Sequence, residues 1–274
     1  MTKDIGNDFG HAGDTWERTG GKGVVVNGKV YEEHSFNVRV GLALSKHLKR
    51  CGIGEKRIQE PFKKEVSLRD RTNFYNHENV DVVLSNHANW NRNKNVKGIC
   101  VFAWHNHEDS QRLQKLLVEE YEKLGFETHG VGEHESEIGS WTDLHIVRET
   151  KMTACLIENG FMSNPDDFKN IFLNPEYAEK CAEAQARALC RFFGIPFKGV
   201  ENVAQKSVQI QTGGLSPEMV AEIGRYFDNK QWWAQIQYTS DGENPTALTG
   251  GLSPENRKEF EGWLKHRDWW YKIV

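Results

Sequence analysis

Three side chains stand where buried strands should end, and their types could do hydrolytic chemistry. His11 and His87 each follow an apolar stretch and precede a small-residue turn, in Asp8-Phe9-Gly10-His11-Ala12-Gly13 and Leu84-Ser85-Asn86-His87-Ala88-Asn89. Both imidazoles are therefore expected at the lip of a sheet. Glu158 comes directly after Ala154-Cys155-Leu156-Ile157, where a strand is apolar and buried. An unpaired carboxylate is costly there, so such a group is paired, metal-bound or catalytic. Two histidines and a carboxylate with an open fourth position is a common plan for catalytic zinc. No His-Glu-x-x-His occurs, and spacing alone leaves the three roles open. His34, His47, His77, His105, His107, His129, His134 and His266 sit in polar or loop contexts and read as solvated surface.

The segments between these residues must supply the frame. A short apolar start covers Ile5 to Phe9. Phe36, Val40, Leu44 and Leu48 form a helical stripe within His34 to Cys51, and Ser67 is placed to cap a helix from Leu68 to His77. Strands are expected at Val80–Ser85, Gly98–Ala103, Leu144–Val147 and Ala154–Glu158. Gln111 to Leu124 reads as an amphipathic helix ended by Gly125, and residues 176–193 as a long helix stopped by Gly194 and Pro196. This alternation means an α/β fold: a central, mostly parallel sheet flanked by helices, with its site at the strand ends.

The C-terminal part follows another plan. Thr212-Gly213-Gly214-Leu215-Ser216-Pro217-Glu218 returns as Thr249-Gly250-Gly251-Leu252-Ser253-Pro254-Glu255, an offset of 37 that also carries Trp232-Trp233 onto Trp269-Trp270. Ser216 and Ser253 are N-caps followed by Pro at the first helical position. Met219, Ile223 and Phe227 make a helical stripe that Phe260 and Leu264 match in the second copy. Two strand–helix–strand units imply a small α+β domain, four strands with two helices on one face. Five of the nine tryptophans fall in the last 43 residues, so they either build a small core or face a ligand. With one histidine and no metal-ligand cluster, this part reads as a binding module.

Composition narrows the function classes. The 274 residues carry a net charge of −4, with 38% apolar and 27% charged residues, as a soluble globular chain does. Neither half is basic, which argues against nucleic acid. No apolar run is long enough for membrane insertion, and the first twenty residues lack the apolar region of a signal peptide. The five cysteines include no Cys-x-x-Cys pair and read as buried, reduced thiols made in a reducing compartment.

The order of the motifs is more specific than any one of them. After the His11 motif come Glu33-His34-Ser35-Phe36-Asn37, Val66-Ser67-Leu68-Arg69-Asp70-Arg71 and the His87 motif. Val147-Arg148-Glu149-Thr150-Lys151-Met152 then leads to Leu156-Ile157-Glu158-Asn159-Gly160-Phe161. Over residues 1 to 195 this series resembles the zinc-dependent N-acetylmuramoyl-L-alanine amidases of the third class, which cleave bacterial peptidoglycan. The repeat resembles the wall-binding module of amidase endolysins from Bacillus phages and prophages.

The resemblance implies a zinc amidase domain at 1–197, a linker at 198–206 and a cell-wall-binding domain at 207–274. It places the histidine ligands on His11 and His87, the acidic ligand on Glu33 with Glu32 as the alternative register, and the catalytic glutamate on Glu158. Ala12 departs from the family's glycine, and Asp14-Thr15-Trp16-Glu17 from its Asp-Pro-Gly run. The implied reaction is hydrolysis of the amide between N-acetylmuramic acid and L-alanine, with Zn²⁺ activating water and Glu158 as general base. Asn89, Arg148 and His145 are candidates to hold substrate, a structural ion pair being the alternative for Arg148. Trp232, Trp233, Trp269 and Trp270 are candidates to grip the wall. The implied partners are peptidoglycan and its associated wall polymer, and the implied location is the host cytoplasm until a holin opens the membrane. Rival readings are a zinc peptidase that trims the stem peptide, a non-catalytic wall-binding protein, and a sporulation-type lysis amidase. Oligomeric state and the polymer recognised are left open.

Overall fold

Val82 and Leu84 point to one side of their strand and Val83 to the other, and this parity organises the whole N-terminal part. A computed structural model describes residues 2–199, 208–230, 232–238 and 244–274. Two compact units are present, residues 1–200 and 201–274. Residues 200–206 of the expected linker lie outside the described residues.

The first unit runs β1 (Asp4–Phe9), α1 (Thr15–Thr19), β2 (Gly23–Val26), β3 (Lys29–Glu32), α2 (Glu33–Cys51), β4 (Gly54–Lys56), α3 (Leu68–Glu78) and β5 (Val82–Asn89). It continues through β6 (Ile99–Trp104), α4 (Glu108–Lys123), β7 (Thr128–Ser136), α5 (His145–Glu149), β8 (Thr153–Phe161), α6 (Pro165–Phe168), a π-helical turn and α7 (Pro175–Phe193). Six strands form one sheet in the order β4-β1-β5-β8-β6-β7. Every neighbouring pair is parallel except β6 with β8.

The two faces are covered unequally. Phe36, Leu44 and Leu48 of α2, Leu113 and Leu117 of α4, and Cys181 and Leu189 of α7 pack on Ile5, Val82, Leu84, Val101 and Ile157. On the opposite face a smaller cluster forms, in which Tyr75 of α3 and Ile146 and Val147 of α5 join Val83, Phe102, Ala154 and Leu156. His87 and Glu158 continue the parity of Val83 and Leu156. They therefore emerge on the thinly covered face, at the carboxyl ends of β5 and β8, where an α/β sheet leaves room for a ligand.

Their chain neighbours Asn86 and Asn159 point the other way, into a buried amide network. Gln185 Nε2 donates to Asn86 Oδ1 at 2.6 Å and to the Tyr121 hydroxyl at 2.8 Å. Tyr121 donates to Asn159 Oδ1 at 2.5 Å, and Asn159 Nδ2 donates to the His87 carbonyl at 3.1 Å. These bonds tie α4 and α7 to the backbone of the two strands that carry His87 and Glu158.

Several expectations need correction. Leu144–Val147 is not a strand: Ile146 and Val147 are adjacent yet share one apolar cluster, which the single turn of α5 allows and strand alternation does not. One edge strand is β7, whose glycines and charges carry no strand pattern; its pairing with β6 forms it. The β2–β3 hairpin, turned by Asn27 (φ 51°) and Gly28 (φ 77°), and β4 are further elements outside the expectation. His34 and His47 are buried, 2% and 1% exposed. His47 follows Leu44 by three residues, so it shares the inner face of α2, where it bonds Glu179 of α7. All five cysteines are buried and free. No helix among the described residues is long and apolar enough to cross a membrane.

The second unit comprises β9 (Ile210–Thr212), α8 (Pro217–Lys230), β10 (Ala234–Gln237), β11 (Thr246–Thr249), α9 (Pro254–Lys265) and β12 (Tyr271–Ile273). Its strands form an antiparallel sheet in the order β10-β11-β9-β12, so each copy of the repeat pairs with the other. Ile223 and Phe227 of α8 and Phe260 and Leu264 of α9 share one core with Ile210 and Ala247.

Replacing Gln185 with Leu removes the hub of the amide network and leaves Asn86 and Tyr121 short of partners. The expected cost is about 1–3 kcal/mol, read from the urea unfolding midpoint. A cost near zero would show that the network does not brace the sheet.

Candidate metal centre and active-site cleft

Three elements deliver three donors to one point. His87 lies near the end of β5, opposite Glu158 in the β5–β8 register. Glu33 is the first residue of α2, where the exposed N–H groups of a helix start favour a carboxylate. His11 lies just beyond β1. His11 Nε2 stands 3.0 Å from Glu33 Oε2, and His87 Nδ1 stands 2.9 Å from Glu33 Oε1. The imidazoles meet edge to face, 4.9 Å between centroids. One donor atom from each residue lies within 4.8 Å of the others, an arrangement that could hold a metal ion. Glu33, not Glu32, is brought to the two histidines; Glu32 pairs with Gly23 across the hairpin.

The two carboxyls are shifted in opposite directions. Burial would raise Glu33, but the charges and hydrogen bonds of His11 and His87 outweigh it and hold the carboxyl well below its usual range. Its Oε1 also accepts from the Ala88 amide at 3.1 Å and from Asn37 at 3.3 Å. Glu158 is pushed well above the usual range, first by burial and then by the negative charge of Glu33. Its Oε2 is buried without a hydrogen-bond partner. Just beyond it a register shift between β5 and β8 accommodates an extra residue, and Gly160 takes φ 120° there.

His11 is held in a left-handed conformation, φ 60°, that a non-glycine residue adopts at a cost. The bonds that hold it are plain. Arg71, 1% exposed, donates to the carbonyls of Phe9 at 2.8 Å and His11 at 2.7 Å. Its remaining donors go to Asp8, Gln59 and the Val66 carbonyl, so all five guanidinium N–H groups are used. His34 Nδ1 and Asn37 Nδ2 both reach the Gly10 carbonyl, at 2.9 and 3.1 Å, and His34 Nε2 accepts from the Phe62 amide at 3.2 Å. Gly10 has to be glycine, because a Cβ there would lie 2.4 Å from the His87 ring.

The cluster opens into a cleft of 950 Å³ lined by Trp16, the β2 valines, Trp90, Lys94 and His145 among others. Asn89 and His145 are among its lining residues. Asn89 Oδ1 accepts from the Trp90 amide at 2.7 Å, and His145 Nε2 lies 3.3 Å from the Thr72 hydroxyl. Arg148 is outside this lining and is ion-paired with Asp143 and Glu149, the structural alternative. In the second unit Trp232 and Trp269 pack against the core, while Trp233 and Trp270 are exposed. Arg71, His34 and Asn37 all lie inside the sequence motifs, but nothing local marks an arginine that will be buried. Its partners Asp8 to His11 are some sixty residues away, with separations of 63, 62 and 60.

Replacing Arg71 with Met strands Asp8 as an unpaired buried charge. The variant should lose about 3–5 kcal/mol of stability, and adding Asp8→Asn should recover part of it, both read by denaturant unfolding. Strict additivity of the two losses would mean that the pair is not coupled.

Comparison with known proteins agrees with this architecture. A family model described as N-acetylmuramoyl-L-alanine amidase matches residues 5–191. No curated protein matches the chain significantly. Among solved structures, the fold is similar to an N-acetylmuramoyl-L-alanine amidase from Clostridium difficile 630, at 23% identity and TM-score 0.60, covering 70% of this chain and 97% of that one. It is also similar to the catalytic domain of the amidase CwlV from Bacillus (Paenibacillus) polymyxa, at 20% identity and TM-score 0.59, covering 72% and 100%. An amidase from Mycobacterium smegmatis matches at 19% identity and TM-score 0.60, covering 70% and 97%. The likeness in structure is one of fold; the family match covers most of the chain and all of the cleft's elements. The chain belongs to the N-acetylmuramoyl-L-alanine amidase family, whose members act on peptidoglycan.

Proposed function

We propose that the first unit is a zinc-dependent peptidoglycan amidase in which His11, Glu33 and His87 hold the metal and Glu158 moves the proton. The observation that carries this is the convergence of two imidazole nitrogens and a carboxylate beside the unpartnered Glu158 Oε2. That donor set suits zinc and leaves a fourth position free. Zinc, when bound, acts as a Lewis acid that makes water a better nucleophile at neutral pH and polarises a carbonyl.

The protein's own groups supply the rest. Glu158 takes a proton from the attacking water as its oxygen bonds to the amide carbon. The C–N bond then breaks, and Glu158 returns the proton to the departing nitrogen. The products are the lactyl carboxylate of N-acetylmuramic acid and a stem peptide with a free L-alanine amine. Asn37 and the Ala88 amide hold Glu33 in its orientation, and Arg71, His34 and Asn37 hold the chain on either side of the His11 imidazole.

The second unit is read as the part that grips the wall, through exposed tryptophan. The whole is read as an endolysin of Bacillus phage or prophage type, kept in the host cytoplasm until released and lysing a Gram-positive wall. Five buried free cysteines fit a chain made under reducing conditions.

The test uses Bacillus walls with wild type, chelator-stripped protein, the same protein after zinc return, and Glu158→Gln. Mass spectrometry should find released peptides with a free N-terminal L-alanine. Stripping should abolish them and zinc should restore them. Glu158→Gln should lower the rate by about 10²–10⁴-fold while keeping its zinc. Shortened peptides still joined to glycan would mean a stem-peptide peptidase instead.

A further inference from the structure

The duplicated C-terminal unit acts as its own control, because residues that both copies share can be compared in two structural settings. Most identities have a structural task. Thr212 and Thr249 accept from the Ala247 and Ile210 amides, each at 2.9 Å. Leu215 and Leu252 are buried. Ser216 and Ser253 accept from amides in the first turns of α8 and α9. Glu222 and Glu259 form reciprocal ion pairs, with Arg267 and Lys230 of the other copy. Trp232 and Trp269 pack on the shared core.

Trp233 and Trp270 break this pattern, since both remain 64% exposed. Their surroundings are the same. The Gly250 amide donates to the Trp233 carbonyl and the Gly213 amide to the Trp270 carbonyl, both at 2.9 Å. A Cβ at Gly250 would meet Trp233 Cε3 at 3.3 Å, and one at Gly213 would meet Trp270 Cε3 at 3.3 Å. Each indole thus rests on the Gly-Gly turn of the other copy, an arrangement that only cross-paired repeats can build. Their neighbours on the strands diverge: Ala234 and Gln235 in one copy stand for Tyr271 and Lys272 in the other.

We propose that Trp233 over the Gly250 turn and Trp270 over the Gly213 turn are two equivalent binding sites for an uncharged glycan chain of the wall. This deepens, and rests on, the reading of the second unit as the part that grips the wall. The occupant follows from chemistry. An indole that is apolar on its face and polar at its edge suits the C–H face of a sugar ring. Residues 207–274 hold seven Lys and Arg against nine Asp and Glu, so the unit carries no net positive charge to draw a polyanion. Two like sites on one small unit fit a ligand whose own units repeat, and the family's substrate is such a polymer. Simultaneous engagement then multiplies modest single-site affinities.

The test is sedimentation of the full chain with Bacillus walls, carried in Glu158→Gln so that the walls survive. Peptide-free glycan strands and acid-released neutral wall polysaccharide serve as soluble probes in two further arms. Trp233→Ala and Trp270→Ala should each weaken wall binding by about 10- to 100-fold, and the pair together should abolish it. Trp→Tyr at either position should keep most of the binding, and unfolding midpoints should not move. One of the two soluble glycans should bind the wild type and be weakened by either alanine variant, which identifies the source. Wall binding by wild type that neither alanine variant disturbs would overturn the two sites and leave the wall-binding reading standing. A single variant as weak as the double would mean one joined site. Failure of wild type to sediment would remove the wall-binding reading itself.

Discussion

Glu33 between His11 and His87 is the contact on which the first unit turns. It joins the end of β1, the start of α2 and the end of β5, segments that only a completed sheet brings together. A carboxylate 4% exposed in its side chain is tolerable there because two imidazoles, an amide and Asn37 meet it. Three donors held this closely, with a protonatable carboxyl across the β5–β8 register, need little rearrangement to receive a cation. The arrangement is preorganised at the cost of local strain at His11, which the Arg71 guanidinium helps to offset through its bonds to the Phe9 and His11 carbonyls.

The rest of the sheet serves that contact by parity. Apolar side chains of β5 and β8 face the layer of α2, α4 and α7, and every second residue faces the thinner layer of α3 and α5. The same alternation sends Asn86 and Asn159 into the buried amide network and His87 and Glu158 into the cleft. The reacting groups and their braces are thus adjacent in sequence and opposite in space. The second unit uses another economy, in which one motif repeated after 37 residues supplies each half of the core, each helix cap and each of the two exposed indoles.

How much of this the sequence discloses depends on whether a signal is local. His87 and Glu158 are legible because a polar residue that ends an apolar run is conspicuous, and the caps and stripes of α2, α3, α7, α8 and α9 are local too. Glu33 against Glu32 is a matter of register that motif order suggests and the helix start decides. Arg71 is illegible as a buried brace, because its burial depends on carbonyls some sixty residues away. His34 and His47 look like surface until α2 is docked against the His11 loop and α7. Leu144–Val147 has strand composition but lies where one helical turn buries both Ile146 and Val147. In β7 the reverse holds, and pairing with β6 overrides a composition that predicts no strand.

On the proposed reading His11, Glu33 and His87 form one cation site, with Glu158 beside it but outside the ligand set. Anomalous diffraction at the zinc edge, from crystals grown with one equivalent of zinc, tests it directly. The expected result is a single strong peak bonded to His11, His87 and the Glu33 carboxylate, with Glu158 unligated. A peak bound through Glu32 or Glu158, or one away from the two histidines, would contradict it.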